Sequence, residues 1–444
     1  MQKMIFLALD GLSWNLIEEL INTNQLKNFK KIIDSGISAI LKAEGFLSSP
    51  KIFCSIFTGK KPEKHGILDF YSKEEHLKTD QIWDILHKRG FRIGVYRPLS
   101  VWSVKEFDGF CIPNPLLLEK TTYPKNLMFI SELDKRARSE KYSISFLIKF
   151  FWKLIKFGFP PIKMLKVVKR VFLLTFRRGL EERMYLLKEI ELIIHTNLYL
   201  KLLQKYPLDF TVFFDYSFDT LGHIYMRDRG EISKYSDVLP NAYKLIDNFL
   251  GKIEKLARKN DFHILVCSDH GFERKNKKLE RNYRTINVLY LLRELGFYYD
   301  VYGIYMTGSV VFRIRPNSSR SIDEFYKVLD SIRCDGKKIF DIKVYEKKLI
   351  VYLNDFFGEN KNLKVELPNN KTLNIESIID FNPGHTGSHS EKYGVFIIAG
   401  SSIAKGKRIS EITPYDVSPT ILSILNQEVP KDMDGRILTE IFEK

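Results

Sequence analysis

Met4–Gly11 reads M-I-F-L-A-L-D-G, six apolar residues in a row and then Asp10 and Gly11. An apolar run without polar alternation is the pattern of a strand covered on both faces, as in a parallel sheet sandwiched between helices. Its abrupt stop marks the strand's carboxyl end, the edge at which open α/β sheets hold ligands. The pattern recurs twice more: Phe210–Phe214 precedes Asp219 and His223, and Phe262–Cys267 runs into Ser268-Asp269-His270-Gly271. Ile82–Leu86 has the character of a helix and Phe91–Tyr96 that of another buried strand, ending at Arg97-Pro98. This alternation predicts an α/β fold, a doubly wound and mostly parallel sheet flanked by helices.

In such a sheet the carboxyl ends of parallel strands share one edge, so Asp10, Asp219 and Asp269 are expected to converge there, two of them with a histidine. Asp219 and His223 stand at i, i+4, which brings a carboxylate and an imidazole onto one helical face, a common arrangement for binding a metal. Asp269 and His270 are adjacent and can serve one ion or two. Each residue also has an ordinary structural reading. Asp10 can cap the helix that follows near Trp14, the Asp-His pairs can be turn residues, and Ser49 before Pro50 can be a loop serine. Arg97 reads either as an anion contact or as a surface arginine at a proline turn.

With 444 residues, the chain can bury a large core, and 44% hydrophobic with 28% charged residues excludes extended disorder and a many-span membrane protein. The net charge of +16 suits an anionic partner, although no nucleic-acid motif is evident. Cys54, Cys111, Cys267 and Cys334 form no C-x-x-C pair and read as reduced, buried thiols. The first apolar run is too short for a secretory signal or a spanning helix, so the expected location is the cytoplasm.

More than half of the excess charge is local. Residues 143–180 hold nine Lys and Arg and no Asp or Glu. Lys149, Lys153 and Lys156 share one helical face, while Phe146, Phe150, Leu154 and Phe157 help to form an apolar one. Gly158 and Pro160-Pro161 break the pattern before a second basic segment, so a helical hairpin is expected. It fits either an interfacial element on an anionic membrane or a pair of cap helices with their charges in water. The expected organisation is a core of residues 1–129, 200–295 and 381–444, a basic helical insertion at 130–199, and a smaller α+β subdomain at 296–380. Ser418-Pro419 reads as the cap and first turn of a closing helix.

Ser49–Ile67 reads S-P-K-I-F-C-S-I-F-T-G-K-K-P-E-K-H-G-I. Together with Asp10-Gly11, D-T-L-G-H at Asp219–His223, S-D-H-G at Ser268–Gly271 and G-S-H at Gly387–His389, it resembles the type I phosphodiesterase and nucleotide pyrophosphatase branch of the alkaline phosphatase superfamily. I-W-D-I-L at Ile82–Leu86, S-P-T-I-L at Ser418–Leu422 and P-K-D-M-D-G-R at Pro430–Arg436 extend the likeness over most of the chain outside roughly residues 130–200.

The resemblance implies two divalent metals, zinc with manganese or iron as alternatives. One ion would be held by Asp10, Asp269 and His270 with Ser49 as the nucleophile bound to it, the other by Asp219, His223 and a late histidine, His389 rather than His385. Ser49 would attack phosphorus and give a phosphoserine that water then hydrolyses. His65 is expected to orient its loop. The family's phosphate-binding Asn is not evident, and Lys51 stands nearby as a substrate-binding candidate. The expected substrate is a phosphorylated small molecule or a lipid-linked phosphate. Alternatives are a phosphomonoesterase or phosphotransferase of the same superfamily, or a membrane-surface binding protein with a structural metal site. A sulfatase is disfavoured because Cys54 lies five residues past Ser49 and lacks the C-x-P-S-R context, and the long motif fits this branch better than a phosphoglycerate mutase.

Overall fold

The structure is a computed structural model that describes residues 1–43, 47–68, 72, 74–101, 103–114, 121–139, 144–176, 180–226, 233–274, 284–306, 309–315, 317–345, 348–354, 363–381 and 387–442. Eight strands form the central sheet: β1 (Lys3–Leu9), β2 (Gly36–Ile40), β3 (Ile93–Tyr96), β4 (Phe110–Ile112), β5 (Phe210–Asp215), β6 (Phe262–Cys267), β7 (Val395–Ala399) and β8 (Lys407–Arg408). Their order is β8-β2-β7-β6-β1-β5-β3-β4. The expected doubly wound, mostly parallel sheet is therefore present, with the Met4 run at its centre. Met4 to Leu9 are all buried, because layers cover both faces of the strand.

β7 is the exception. It pairs antiparallel with β2 and with β6, Phe396 lying opposite Cys267 and Ala399 opposite Ile264. A reversed strand enters the sheet at the edge where its neighbours leave. His389, just before β7, therefore reaches the same edge as Asp10 and Asp269, which follow their strands.

The helices include α1 (Ser49–Thr58), α2 (Ile144–Lys156), α3 (Pro161–Phe176), α4 (Leu180–Lys205) and α5 (Ser217–Tyr225), of which α1 and α5 carry residues of the acidic edge. In α1 every residue except Lys51 is buried. Phe57 meets Phe6 of β1 and Trp83 at centroid distances of 5.7 and 4.8 Å, and Phe53 meets Phe214 of β5 edge-on at 4.9 Å. Each buried aromatic contributes roughly 1.5–3 kcal/mol, so α1 is held firmly on β1 and β5, two of the three strands that lead to the acidic edge.

Two local expectations are corrected. Arg97 is fully buried with a backbone φ of 64°. Its Nε and Nη2 donate to Asp134 Oδ2 and Oδ1 at 3.0 and 2.7 Å, and His195 and Tyr96 continue the network. A surface arginine was the simpler reading because Asp134 lies 37 residues away in sequence. The closing helix runs Val417–Ile424 with Asp416 as its N-cap, and Ser418 Oγ inside it donates to Ile56 O of α1 at 2.7 Å.

A second compact unit is built mainly from residues 274–388. It holds a four-stranded antiparallel sheet (Val301–Met306, Ser309–Ile314, Phe340–Tyr345, Lys348–Leu353), the helix Ile322–Ser331 and an apolar core of its own, including Phe312, Phe325 and Leu349. All four cysteines are free and buried.

Candidate active site

The edge is built by short chain reversals. Asp10 N–H donates to Asp215 O at 2.9 Å and continues the ladder one residue past β1. Asp10 therefore does not cap the next helix, where Ser13 holds the N-cap position. Gly11 turns at φ 75°, and a Cβ there would lie 2.6 Å from Asp219 N. The turn needs glycine both for its left-handed backbone and for the close approach of α5. α5 starts where Asp215 Oδ1 accepts the Ser217 N–H at 2.8 Å, which places Asp219 in its first turn and His223 one turn further on.

Ser49 is the first residue of α1, not a loop serine, and Pro50 sits in the first turn, where a missing N–H is harmless. Its Oγ donates to Asp10 Oδ1 at 3.1 Å, and both residues are buried. The positive end of the helix dipole lies at this hydroxyl. Asp269 and His270 follow β6 and are fully buried. His270 Nε2 lies 3.5 Å from Asp10 Oδ1, 3.4 Å from Asp269 Oδ2 and 3.7 Å from Asp219 Oδ1. His389 Nε2 lies 3.1 Å from Asp219 Oδ1, and its ring stacks on that of His270 at 3.7 Å.

Six residues thus fall into two groups. Asp10, Asp269 and His270 each offer a ligand atom, all within 4.8 Å of one another, and Asp219, His223 and His389 do the same. His385 lies outside the described residues. Lys51 is half-buried; burial lowers its pKa and the charge of Glu63 raises it. His65 joins neither group. It is buried, with Nε2 3.0 Å from Ser55 Oγ and Nδ1 accepting the Ile67 N–H at 3.1 Å.

The donor chemistry fits cations. Burial raises the Asp10 carboxyl well above its usual range, and the charges of Asp269 and Asp219 raise it further. Burial likewise pushes Asp269 up to about 6, partly opposed by the Ser49 hydrogen bond and by His389. Asp269 Oδ2 is buried without a hydrogen-bond partner, an expensive state for an oxygen that nothing else compensates. His270 Nδ1–H donates to Gly271 O at 3.1 Å, and His223 Nδ1–H to Gly387 O at 3.2 Å. Those bonds fix the tautomer, so each Nε2 presents its lone pair, the usual state of a metal-binding imidazole. Carboxylate with imidazole suits zinc, manganese or iron.

Residues 4–364 match the type I phosphodiesterase / nucleotide pyrophosphatase family. The chain belongs to this family. Membership makes it a phosphodiester hydrolase of the alkaline phosphatase superfamily. Among solved structures it is similar to murine ectonucleotide pyrophosphatase / phosphodiesterase 5, at 14% identity and a TM-score of 0.56, with all of both chains covered. An inactive form of that mouse protein, solved in complex with AMP, matches equally well. The human protein of the same name matches at 13% identity and a TM-score of 0.55, again over the whole of both chains. At such identities these likenesses concern the fold. No curated relative matches the sequence.

Beyond the residues singled out by the motifs, the structure brings Tyr96, Arg97, Asp134 and His195 into one buried network near the same end of β3. The one sequence signal for it was a charged residue directly after a buried strand.

Proposed function

We propose that this hydrolase cleaves the phosphodiester or pyrophosphate bond of a nucleotide-type substrate through covalent attack by Ser49, with two divalent cations as cofactors. The observation that carries the reading is the Ser49 hydroxyl, buried at a helix N-terminus and 3.1 Å from a carboxylate of the first acidic group.

Asp10, Asp269 and His270 would hold one ion, and Asp219, His223 and His389 the other. When bound, the ions supply Lewis-acid stabilisation of the attacking and leaving oxygens of an in-line displacement. Asp10 accepts the Ser49 hydroxyl hydrogen bond and fixes Oγ in place. Ser49 Oγ then forms a bond to phosphorus while the bond from phosphorus to the leaving oxygen breaks and the leaving group departs with the hydroxyl proton, giving a phosphoryl ester of Ser49 that keeps the other substituent of a diester. Water attacks that phosphorus, the Oγ–P bond breaks, and Ser49 is regenerated on release of phosphate or a phosphomonoester. The α1 dipole favours the oxyanion at each stage. His65 and the loop it ties down keep α1 in register.

The test is release of nitrophenol from bis-p-nitrophenyl phosphate with added zinc or manganese, compared with p-nitrophenyl phosphate, alongside acid-quenched mass spectrometry of the Ser49 peptide. The expected result is diester turnover abolished by chelation and by Ser49→Ala, with a p-nitrophenyl phosphoryl group trapped on Ser49. Turnover that survives Ser49→Ala overturns the covalent mechanism. Preference for the monoester moves the enzyme to the phosphatase reading.

A further inference from the structure

We propose that the outward face of helices α2 and α3 docks this protein onto an anionic lipid bilayer. Among the described residues, ten large apolar side chains are exposed, and six of them lie on this pair of helices. Trp152 (60%) and Ile155 (54%) lie on α2; Ile162 (69%), Leu165 (70%), Val168 (43%) and Phe172 (61%) lie on α3. Spacings of three and four residues put each set on one helical face.

This exposure does not reflect loose packing. Each helix has a separate inward face, with Phe150 and Leu154 buried on α2 and Val167 buried on α3. Phe129 packs against Phe150 and Phe157, and Arg170 Nη2 donates to Glu189 Oε1 of α4 at 2.7 Å. The core needs are therefore met from one side, while the other presents apolar surface of a kind soluble proteins rarely leave clustered.

Charge decides the occupant. Exposed Lys149, Lys153 and Lys156 on α2 and Lys166 and Lys169 on α3 flank the apolar stripes. No acidic residue occurs between 143 and 180; the nearest acidic partners, Glu132 and Glu189, come from neighbouring helices. A second copy of the chain would bring two such cationic faces together, whereas an anionic bilayer takes the apolar stripe at the acyl boundary and the lysines at the headgroups. No helix among the described residues is long and apolar enough to cross a membrane, so the hairpin lies in the interface plane.

The test uses the full-length protein with vesicles of phosphatidylcholine alone or containing phosphatidylglycerol. Co-sedimentation is expected only with the anionic vesicles and is weakened by salt. Tryptophan emission is expected to shift to the blue on binding, because Trp14 and Trp83 are already buried and Trp152 is exposed. Trp152→Phe removes most of that shift. Replacing Lys149, Lys153 and Lys156 together by Gln lowers the apparent affinity on the order of a hundredfold, at about a kcal/mol per lysine. Replacing Ile155, Leu165 and Phe172 by Ser abolishes binding while leaving nitrophenol release unchanged, which shows that the variant is folded. Absence of binding, equal binding to neutral vesicles, or a lipid-free dimer in sedimentation velocity that the same Ser variant dissolves overturns the proposal. The lipid-binding readouts do not depend on the chemistry proposed for Ser49, and urea unfolding shows that the Ser variant is folded where nitrophenol release is absent.

Discussion

Acidification should destabilise this protein through His65. The imidazole is fully buried, accepts the Ile67 N–H at Nδ1 and faces Ser55 Oγ with Nε2. Because Nδ1 is an acceptor, Nε2 carries the proton and the ring is neutral. Burial, followed by the charge of Lys51, lowers its pKa from 6.5 to about 4. Above the unfolded value both states are neutral and His65 contributes no pH dependence. As the pH falls below it, the unfolded chain takes up a proton that the folded chain refuses, so stability drops until the folded pKa is reached. A shift of this size corresponds to about 3 kcal/mol lost between roughly pH 6.5 and pH 4. Urea unfolding across that range, for the wild type and for His65→Asn and His65→Gln, isolates the effect, since the other titrating groups are common to all three. Each variant keeps one half of the hydrogen bonding and does not titrate. The variants should be less stable at neutral pH, and the gap should shrink by about 3 kcal/mol towards pH 4. A gap that stays constant with pH refutes the assignment.

Asp134→Ala leaves the buried Arg97 guanidinium without its carboxylate and should lower stability by about 3–5 kcal/mol in urea unfolding. Gly11→Ala should be far more damaging than Gly90→Ala, although both have φ near the left-handed region. A Cβ at Gly11 meets Asp219 backbone at 2.6 Å, whereas at Gly90 it meets nothing within 4 Å. Gly90→Ala therefore loses only about 1 kcal/mol of conformational preference, and Gly11→Ala loses nitrophenol turnover as well. In metal-free protein at neutral pH, Asp269→Asn removes a charge that burial and, to a lesser extent, the nearby Asp219 disfavour, and should stabilise by up to about 3 kcal/mol. The same change should remove the rise in Tm on adding zinc, a split that calorimetry reads directly.

Much of the fold was legible because its strands are covered on both faces. Met4–Leu9, Phe210–Phe214 and Phe262–Cys267 announce themselves as unbroken apolar runs, and the residues after them had to share an edge once the strands were parallel. His389 was legible by resemblance alone. Its place depends on β7 running against its neighbours, and strand direction leaves no trace in an apolar pentapeptide. The Arg97–Asp134 pair was hidden for a different reason. Its partners come from a strand end and from a distant helix, so no local spacing records them. The hairpin was readable as basic and helical, yet which apolar residues faced inward depended on Phe129 and Glu189, outside its own sequence.

The long motif from Ser49 to Ile67 divides into an end that carries the proposed nucleophile and an anchoring end. Ser49 begins α1, and Gly59 ends it in the left-handed conformation. Beyond that point the side chains turn towards the P-K-D-M-D-G-R stretch. Asp434 N–H donates to Gly59 O at 2.9 Å, Asp434 Oδ2 accepts the Lys61 N–H at 2.9 Å, and Lys60 and Lys64 pair with Asp432 and Asp434. Lys60 Nζ also reaches Thr79 Oγ1 at 2.6 Å. Singly, such partly exposed ion pairs are weak. Their joint effect is geometric, because they hold the far end of a helix whose other end must keep a hydroxyl within reach of Asp10. A helix rises 1.5 Å per residue and transmits displacement along its axis. Slack at Gly59 would therefore appear at Ser49, about 15 Å away by that rise. Two stretches that look unrelated in sequence, one carrying the proposed nucleophile and one near the end of the chain, are in this sense parts of a single positioning device.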